Sequence, residues 1–246
     1  MSIYARITRV VTTIIMIAIN ALATTQLRWG VSTWDLSDQL STLITPAGWT
    51  FSIWSVIYIW LGAVMVLIAW KQITVSRHII RAHIISCLCN ALWIVVWQYG
   101  YLTASMLVIL WLLASLIVID QYIIKHEVEH FAWWVRSVFL IYFWWVQIAT
   151  LLMTTIYLIY GLGRITTETL WWPMLVIILA WVANLLVIYR AGRIETSLVA
   201  LWALAGIYRW QNNPSIQATC LTVGWILLIA IAFHLKSRSH SKLLSK

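Results

Sequence analysis

The sequence predicts an all-α integral membrane protein, a polytopic helix bundle with about eight transmembrane helices. Hydrophobic residues occupy 63% of the 246 positions, and charged residues occupy only 9%. A soluble domain carries about 25% charged residues, because its surface faces water. This chain lacks the polar residues that such a surface needs. A protein surrounded by lipid does not need them, because its surface faces an apolar solvent.

Eight apolar segments define the predicted spans. Most approach the ~20 apolar residues that cross a bilayer as a helix. The seventh is the shortest and falls just below the roughly 17 residues usually required. The segments cover approximately residues 10–27, 51–70, 80–99, 102–124, 135–158, 171–190, 197–211 and 217–235.

The positions of lysine and arginine favour all eight spans. If every segment crosses the membrane, 13 of the 16 basic residues lie on one side, and only Arg28, Arg164 and Arg209 lie on the other. The positive-inside rule then predicts that both termini are cytoplasmic. The expected location is the cytoplasmic (inner or plasma) membrane. The net charge of +9 is therefore interpreted as a topology signal, and no nucleic-acid partner is expected.

The first segment has an alternative interpretation. Arg6 and Arg9, the apolar stretch and the triplet Ala21-Leu22-Ala23 also resemble a cleavable signal peptide. We interpret the segment as a retained first span, and a mature terminus at Thr24 would contradict this.

The first outer loop, residues 28–50, is the longest connection. Its Trp29, Trp34 and neighbouring leucines alternate with Asp35 and Asp38, which indicates a short amphipathic piece at the membrane interface. An ordinary aromatic linker explains the same composition equally well.

Catalytic and metal-binding signatures are missing from the sequence. It contains no GxSxG, HExxH or P-loop motif, and the spans hold almost no charged residues near mid-membrane. The loop residues His126, Glu127, Glu129 and His130 are interpreted as solvated rather than as metal ligands. We therefore expect neither an enzyme nor a metal site, and no required cofactor.

Four amide side chains lie deep within spans, where contact with lipid would be costly. They are expected to face the bundle and to bond to one another or to the backbone. For Asn20 and Asn184 we favour helix–helix packing, and for the other two a polar contact in a ligand pocket remains open. The four are Asn20, Asn90, Gln147 and Asn184.

Aromatic residues on the second and third spans fall on ordered faces. Trp54 and Tyr58 are spaced i, i+4, and Asn90, Trp93 and Trp97 are spaced i, i+3, i+7. At 1.5 Å per residue, Tyr58 and Trp93 lie about 12 and 10 Å from the outer surface. The two faces could line a flat apolar cavity that opens toward the outer side, or they could pack directly against each other.

Several of these residues also carry a family resemblance. The stretch Pro46-Ala47-Gly48-Trp49-Thr50-Phe51-Ser52-Ile53-Trp54, followed by Tyr58 and Gly62, resembles the second-helix signature of the TspO/MBR family, the translocator or tryptophan-rich sensory proteins. Asn90-Ala91-Leu92-Trp93 is similar to the third-helix motif of that family, and Trp145-Val146-Gln147-Ile148-Ala149-Thr150 to its fifth-helix motif. The three motifs lie in the same order and spacing as in the family.

The resemblance implies a five-helix core, residues 1–160, that holds a hydrophobic ligand beneath the first loop. Residues 161–246 would then add three helices and a basic tail, as in a longer, eight-helix branch. The chain departs from the family in having only Pro46 in the first outer loop and Met153 near the usual asparagine of the fifth helix. The ligand classes linked to the family are tetrapyrroles, sterols and other lipids. The candidate ligand-binding residues are Trp49, Phe51, Trp54, Tyr58, Asn90, Trp93, Trp97, Trp145, Gln147 and Ala149.

The function that these observations favour is a non-enzymatic binding or sensory protein for a planar hydrophobic ligand. A small-molecule transporter and a structural or accessory subunit of a membrane complex are the alternatives. The expected partners are membrane lipids, the hydrophobic ligand, and a second copy of the chain or another membrane subunit.

Overall fold

Nine α-helices make up most of the residues that the computed structural model describes, which are 3–24, 33–71, 76–125 and 133–244. A 3₁₀ turn, Gly48–Ser52, precedes the third helix, and a π-helical turn, Tyr157–Gly161, extends the sixth. The helices are α1 Ile3–Thr24, α2 Thr33–Gln39, α3 Ile53–Trp70, α4 Arg77–Gln98, α5 Leu102–Lys125, α6 Trp133–Ile156, α7 Trp171–Ala191, α8 Glu195–Trp210 and α9 Pro214–Leu244.

The prediction of a polytopic helical membrane protein is confirmed. Among the described residues, six helices are long and apolar enough to cross a membrane. The two other predicted spans are also helical but shorter: the apolar part of α1 covers Ile7–Ala23, and α8 has 16 residues. The six are Gly48–Trp70, Arg77–Gln98, Leu102–Ile123, Trp133–Gly161, Trp171–Ala191 and Pro214–Ser237.

Local signals explain where several helices begin and end. The Ser76 side chain accepts a hydrogen bond from the backbone N–H of His78 and so caps the start of α4. Gly100, at φ 73°, turns the chain tightly between α4 and α5. Gly192, at φ 61°, ends α7 in the left-handed conformation that glycine adopts without strain.

The chain forms two compact units, and the first comprises residues 1–41 and 51–164. Within this unit α1 packs against α3 and α4, and α6 packs against α3 and α5. Since α4 also packs against α5, the five long helices close a ring in the order α1, α3, α6, α5, α4. Buried side chains such as Ile57, Leu61, Leu112 and Tyr142 form its core.

The second unit comprises residues 42–50 and 165–246. Here α7, α8 and α9 each pack against the other two. Asn184 of α7 donates to the carbonyl of Ala180 and accepts a bond from Ser197 of α8, so this amide joins two helices as expected. The unit therefore holds the three additional helices together with a nine-residue segment that precedes α3.

The outer loop contains a short helix where the sequence suggested an amphipathic piece. The seven residues of α2 pack in part against α4, and the Ser37 side chain is buried. Trp29 lies outside the described residues.

Candidate ligand-binding site

Trp54, in the first turn of α3, lies at the centre of an aromatic cluster in the first unit. Its ring stacks on that of Tyr58, with centroids 5.4 Å apart and planes inclined by 20°. Trp93 lies at 6.0 Å, and Tyr142 and Trp145 meet the ring nearly at right angles at 6.1 and 6.0 Å. These are favourable separations for aromatic pairs. The five residues, called the Trp54 cluster below, come from α3, α4 and α6.

Two further aromatic residues extend the Trp54 cluster. Phe51, in the 3₁₀ turn, lies 6.3 Å from Trp145 at 84°. Trp97 stacks on Trp93 one helical turn away, with centroids 6.4 Å apart and planes inclined by 13°. The aromatic faces that the residue spacing predicted on the second and third spans therefore meet each other.

Burial differs sharply within the Trp54 cluster. Trp145 is 2% exposed, Trp93 6% and Tyr142 0%, whereas Trp54 is only half-buried. Trp54 therefore presents the accessible aromatic surface, and the other rings support it from within the protein. A half-buried indole backed by fixed rings is suited to stacking on a flat molecule.

A buried hydrogen-bond network lies beside the aromatic rings. The amide nitrogen of Asn20 donates to Asn90 Oδ1 at 2.7 Å, and the Tyr58 hydroxyl donates to Asn20 Oδ1 at 2.8 Å. Asn90 Nδ2 donates to the Tyr142 hydroxyl at 3.0 Å. Because Asn90 is fully buried and contacts three helices, it links α1, α3 and α6 through α4.

A second buried polar group lies about two turns from Asn90 along α4. His83 Nε2 lies 2.9 Å from Thr13 Oγ1 and 3.5 Å from Cys87 Sγ. All three side chains are buried, and the His83 ring meets Phe139 edge-on at 6.1 Å. Thr13 and Asn20 share one face of α1, so α1 meets α4 along a polar seam.

The Trp54 cluster also contains two buried hydrogen-bond donors without acceptors. Among the described residues, neither Trp93 Nε1 nor Trp145 Nε1 has a hydrogen-bond partner. A buried N–H that lacks an acceptor costs free energy, commonly about 1–3 kcal/mol. Buried indole nitrogens normally find a partner, so these two donors are a notable feature of the cluster.

The candidate residues divide into those that the structure brings together and those that it does not. Phe51, Trp54, Tyr58, Asn90, Trp93, Trp97 and Trp145 form one continuous set of contacts. Gln147 and Ala149 are half-buried on α6. Trp49 belongs to the second unit, where its ring meets Trp202 edge-on at 4.7 Å.

Tyr142 is the participant that the sequence interpretation missed. Its ring contacts Trp54 and its hydroxyl accepts from Asn90, yet it was not among the candidates. A usable signal exists in the sequence, because Tyr142, Trp145 and Ala149 are spaced i, i+3, i+7 on α6. Asn20 was expected only to join helices, and it does so within the same network.

The chemistry of the site is that of stacking and neutral hydrogen bonding. Indole, phenol and amide groups supply it. Within the described part of the chain, no three His, Cys, Asp or Glu side chains are placed to hold a metal ion. The loop with His126, Glu127, Glu129 and His130 lies outside the described residues.

The first unit is a ring of membrane helices around an interior of aromatic and amide side chains, which defines a polytopic helical membrane protein. Small-molecule sites in helix bundles commonly lie between the helices. A family model described as TSPO-like protein matches residues 6–233, which cover most of the chain. The chain belongs to this TSPO-like family. No curated protein and no solved structure matches it significantly. Family membership suggests a membrane ligand-binding or sensory protein of a generally non-enzymatic kind, and the buried aromatic cluster fits that description.

Proposed function

We propose that this protein binds a planar hydrophobic ligand against the Trp54 cluster and acts as a membrane-embedded binding or sensory protein. The ligand is a tetrapyrrole, a sterol or another lipid with a flat ring system. Stacking on the half-buried Trp54 would supply much of the binding free energy. Asn90 and its hydroxyl partners would fix the orientation of the rings that receive the ligand.

The observation that carries the proposal is the pair of indole N–H groups on Trp93 and Trp145. Both are buried within one aromatic cluster, and among the described residues both lack acceptors. A ligand that carries a carbonyl, carboxylate or ring nitrogen would accept hydrogen bonds from them while its rings stack on the accessible face of Trp54. Binding would then relieve a cost already present in the protein. A purely aliphatic lipid would not.

Replacing Trp93 or Trp145 by phenylalanine tests this proposal, because the change removes the N–H and keeps an aromatic ring. We expect protoporphyrin to bind about two- to tenfold more weakly to each variant, because each loses one hydrogen bond with a net contribution of roughly 0.5–1.5 kcal/mol. Without ligand, thermal stability should change little, because the gain from removing an unpartnered buried donor is offset by the cavity that the smaller ring leaves. Quenching of tryptophan fluorescence in nanodiscs measures affinity, and a thermal melt measures stability.

Trp111→Phe is the matched control for both substitutions. Trp111 lies on α5, is 68% exposed and is absent from the Trp54 cluster, so protoporphyrin affinity should not change. The proposal is wrong if the parent protein does not quench with protoporphyrin, or if both cluster variants bind as tightly as this control.

We further propose that the protein lies in the cytoplasmic membrane with both termini on the cytoplasmic side. The asymmetric distribution of lysine and arginine between alternate connections supports this orientation. Reporter fusions at the C-terminus and in the connection at Arg164 should then report opposite sides, and reports from the same side would contradict it.

A further inference from the structure

The segment 42–50, called the strap below, connects the outer loop to α3 and is buried although much of it is not helical. Thr45 and Thr50 are fully buried, and Thr42, Ile44 and Ala47 are 3–5% exposed. Residues 45–47 have no regular secondary structure. Irregular backbone buried in a membrane protein needs hydrogen-bond partners for its carbonyl and N–H groups, because lipid supplies none. The partners of the strap therefore determine how firmly it is held.

Helix α8, in the same unit, supplies those partners. Gln211, at its C-terminal end, donates from Nε2 to the carbonyls of Thr42 and Thr45 at 3.0 and 2.8 Å. Trp202 Nε1 donates to the Thr50 carbonyl at 2.8 Å. Both ends of the strap are thus bonded to side chains of one helix.

Contacts in the middle of the strap reinforce this attachment. The backbone N–H of Ala47 donates to the Gly206 carbonyl at 3.0 Å, and the Trp49 ring packs edge-on against Trp202. A Cβ on Gly206 would collide with the Thr50 side chain, so only glycine permits this close approach. The attachment depends on residue types at particular positions along α8 rather than on general apolar packing.

We infer that Trp202, Gly206 and Gln211 are positioning residues for the ligand site, and that holding the strap is the role of α8. The inference rests on the function proposed above. Thr50 is joined by a peptide bond to Phe51, the residue at which the aromatic site begins. Because α8 holds the Thr50 carbonyl, it fixes the backbone group that immediately precedes Phe51. None of the three residues needs to touch the ligand.

The test compares the variants Trp202→Phe and Gln211→Leu with the parent protein, with each full chain in nanodiscs. Each removes the side-chain donor to the strap and leaves an apolar side chain of similar size at that position. We expect amide hydrogen exchange in 42–50 to accelerate at least tenfold in both variants. We also expect the dissociation rate constant of protoporphyrin, measured by stopped-flow fluorescence, to rise about three- to tenfold.

Trp210→Phe and Asn212→Leu are the matched controls, since both residues are exposed neighbours of the positioning residues. Exchange in α4 and α6, measured in the same samples, reports whether a variant is folded. Faster exchange in the strap with unchanged dissociation would overturn the inference, as would no change in either quantity. If the parent protein does not bind protoporphyrin, the proposed function fails, and the inference fails with it. If the parent protein binds protoporphyrin and the variants release it at the same rate, the inference is wrong and the proposed function stands.

Discussion

We expect the replacement of Trp54 by leucine to weaken protoporphyrin binding by about ten- to a hundredfold, the largest affinity change from one substitution. Trp54 contacts four aromatic rings and is the least buried member of its cluster. Leucine retains apolar volume but loses the flat face on which a ligand stacks. The loss corresponds to roughly 1.5–3 kcal/mol of binding free energy. Equilibrium titration in nanodiscs, followed by the absorbance of the porphyrin, measures the effect without relying on the deleted fluorophore.

Trp111→Leu makes the same chemical change at an exposed position on α5. It should bind protoporphyrin as the parent does, which separates loss of the site from loss of any tryptophan. If protoporphyrin binding is weakened equally in both variants, or is unchanged in Trp54→Leu, then Trp54 is not a ligand-binding residue.

Asn90→Leu should cause the largest loss of stability of any single substitution considered. Leucine has the same number and branching of side-chain heavy atoms as asparagine, so the change removes the hydrogen bonds and adds only the extra bulk of two methyl groups. Asn20, Tyr58 and Tyr142 would each lose a buried partner. A buried group left unpaired costs about 1–3 kcal/mol, and less where it finds another acceptor. We therefore expect destabilisation of about 2–4 kcal/mol. Reversible unfolding in mixed micelles by increasing denaturing detergent measures the change.

Tyr142→Phe provides the graded comparison, because it removes one bond from the network and keeps the ring. It should destabilise the protein by about 1 kcal/mol, clearly less than Asn90→Leu. If Asn90→Leu unfolds at the same detergent fraction as the parent protein, the network does not hold the helices together.

The sequence predicts the spans well because a transmembrane helix leaves a long, local apolar signal. Residue spacing also indicates the aromatic faces of the second and third spans, since side chains three, four and seven residues apart share a helix face. The expectation that the deep amides bond to one another or to the backbone follows from the cost of an unpaired amide in an apolar environment, and Asn20 does bond to Asn90. These predictions all depend on residues close together in the sequence or on the cost of removing polar groups from water.

What the sequence does not reveal depends on distant contacts and on backbone groups. The bonds from Gln211 and Trp202 to the strap span more than 150 residues and end on carbonyl oxygens. Every residue carries a carbonyl, so no pattern of side chains marks the acceptors. Tyr142 was missed for another reason, because its helix contains many aromatic residues and only the contact with Trp54 distinguishes it.

Photolabelling with protoporphyrin that carries a diazirine tests the binding site most directly. After illumination in nanodiscs and digestion, mass spectrometry locates the adducts along the chain. The Trp54 cluster predicts adducts concentrated in the peptides that contain Phe51 to Tyr58, Asn90 to Trp97 and Tyr142 to Ala149, and unlabelled protoporphyrin should compete them away. Adducts concentrated on exposed tryptophans such as Trp111 and Trp225, and insensitive to competition, would contradict the account.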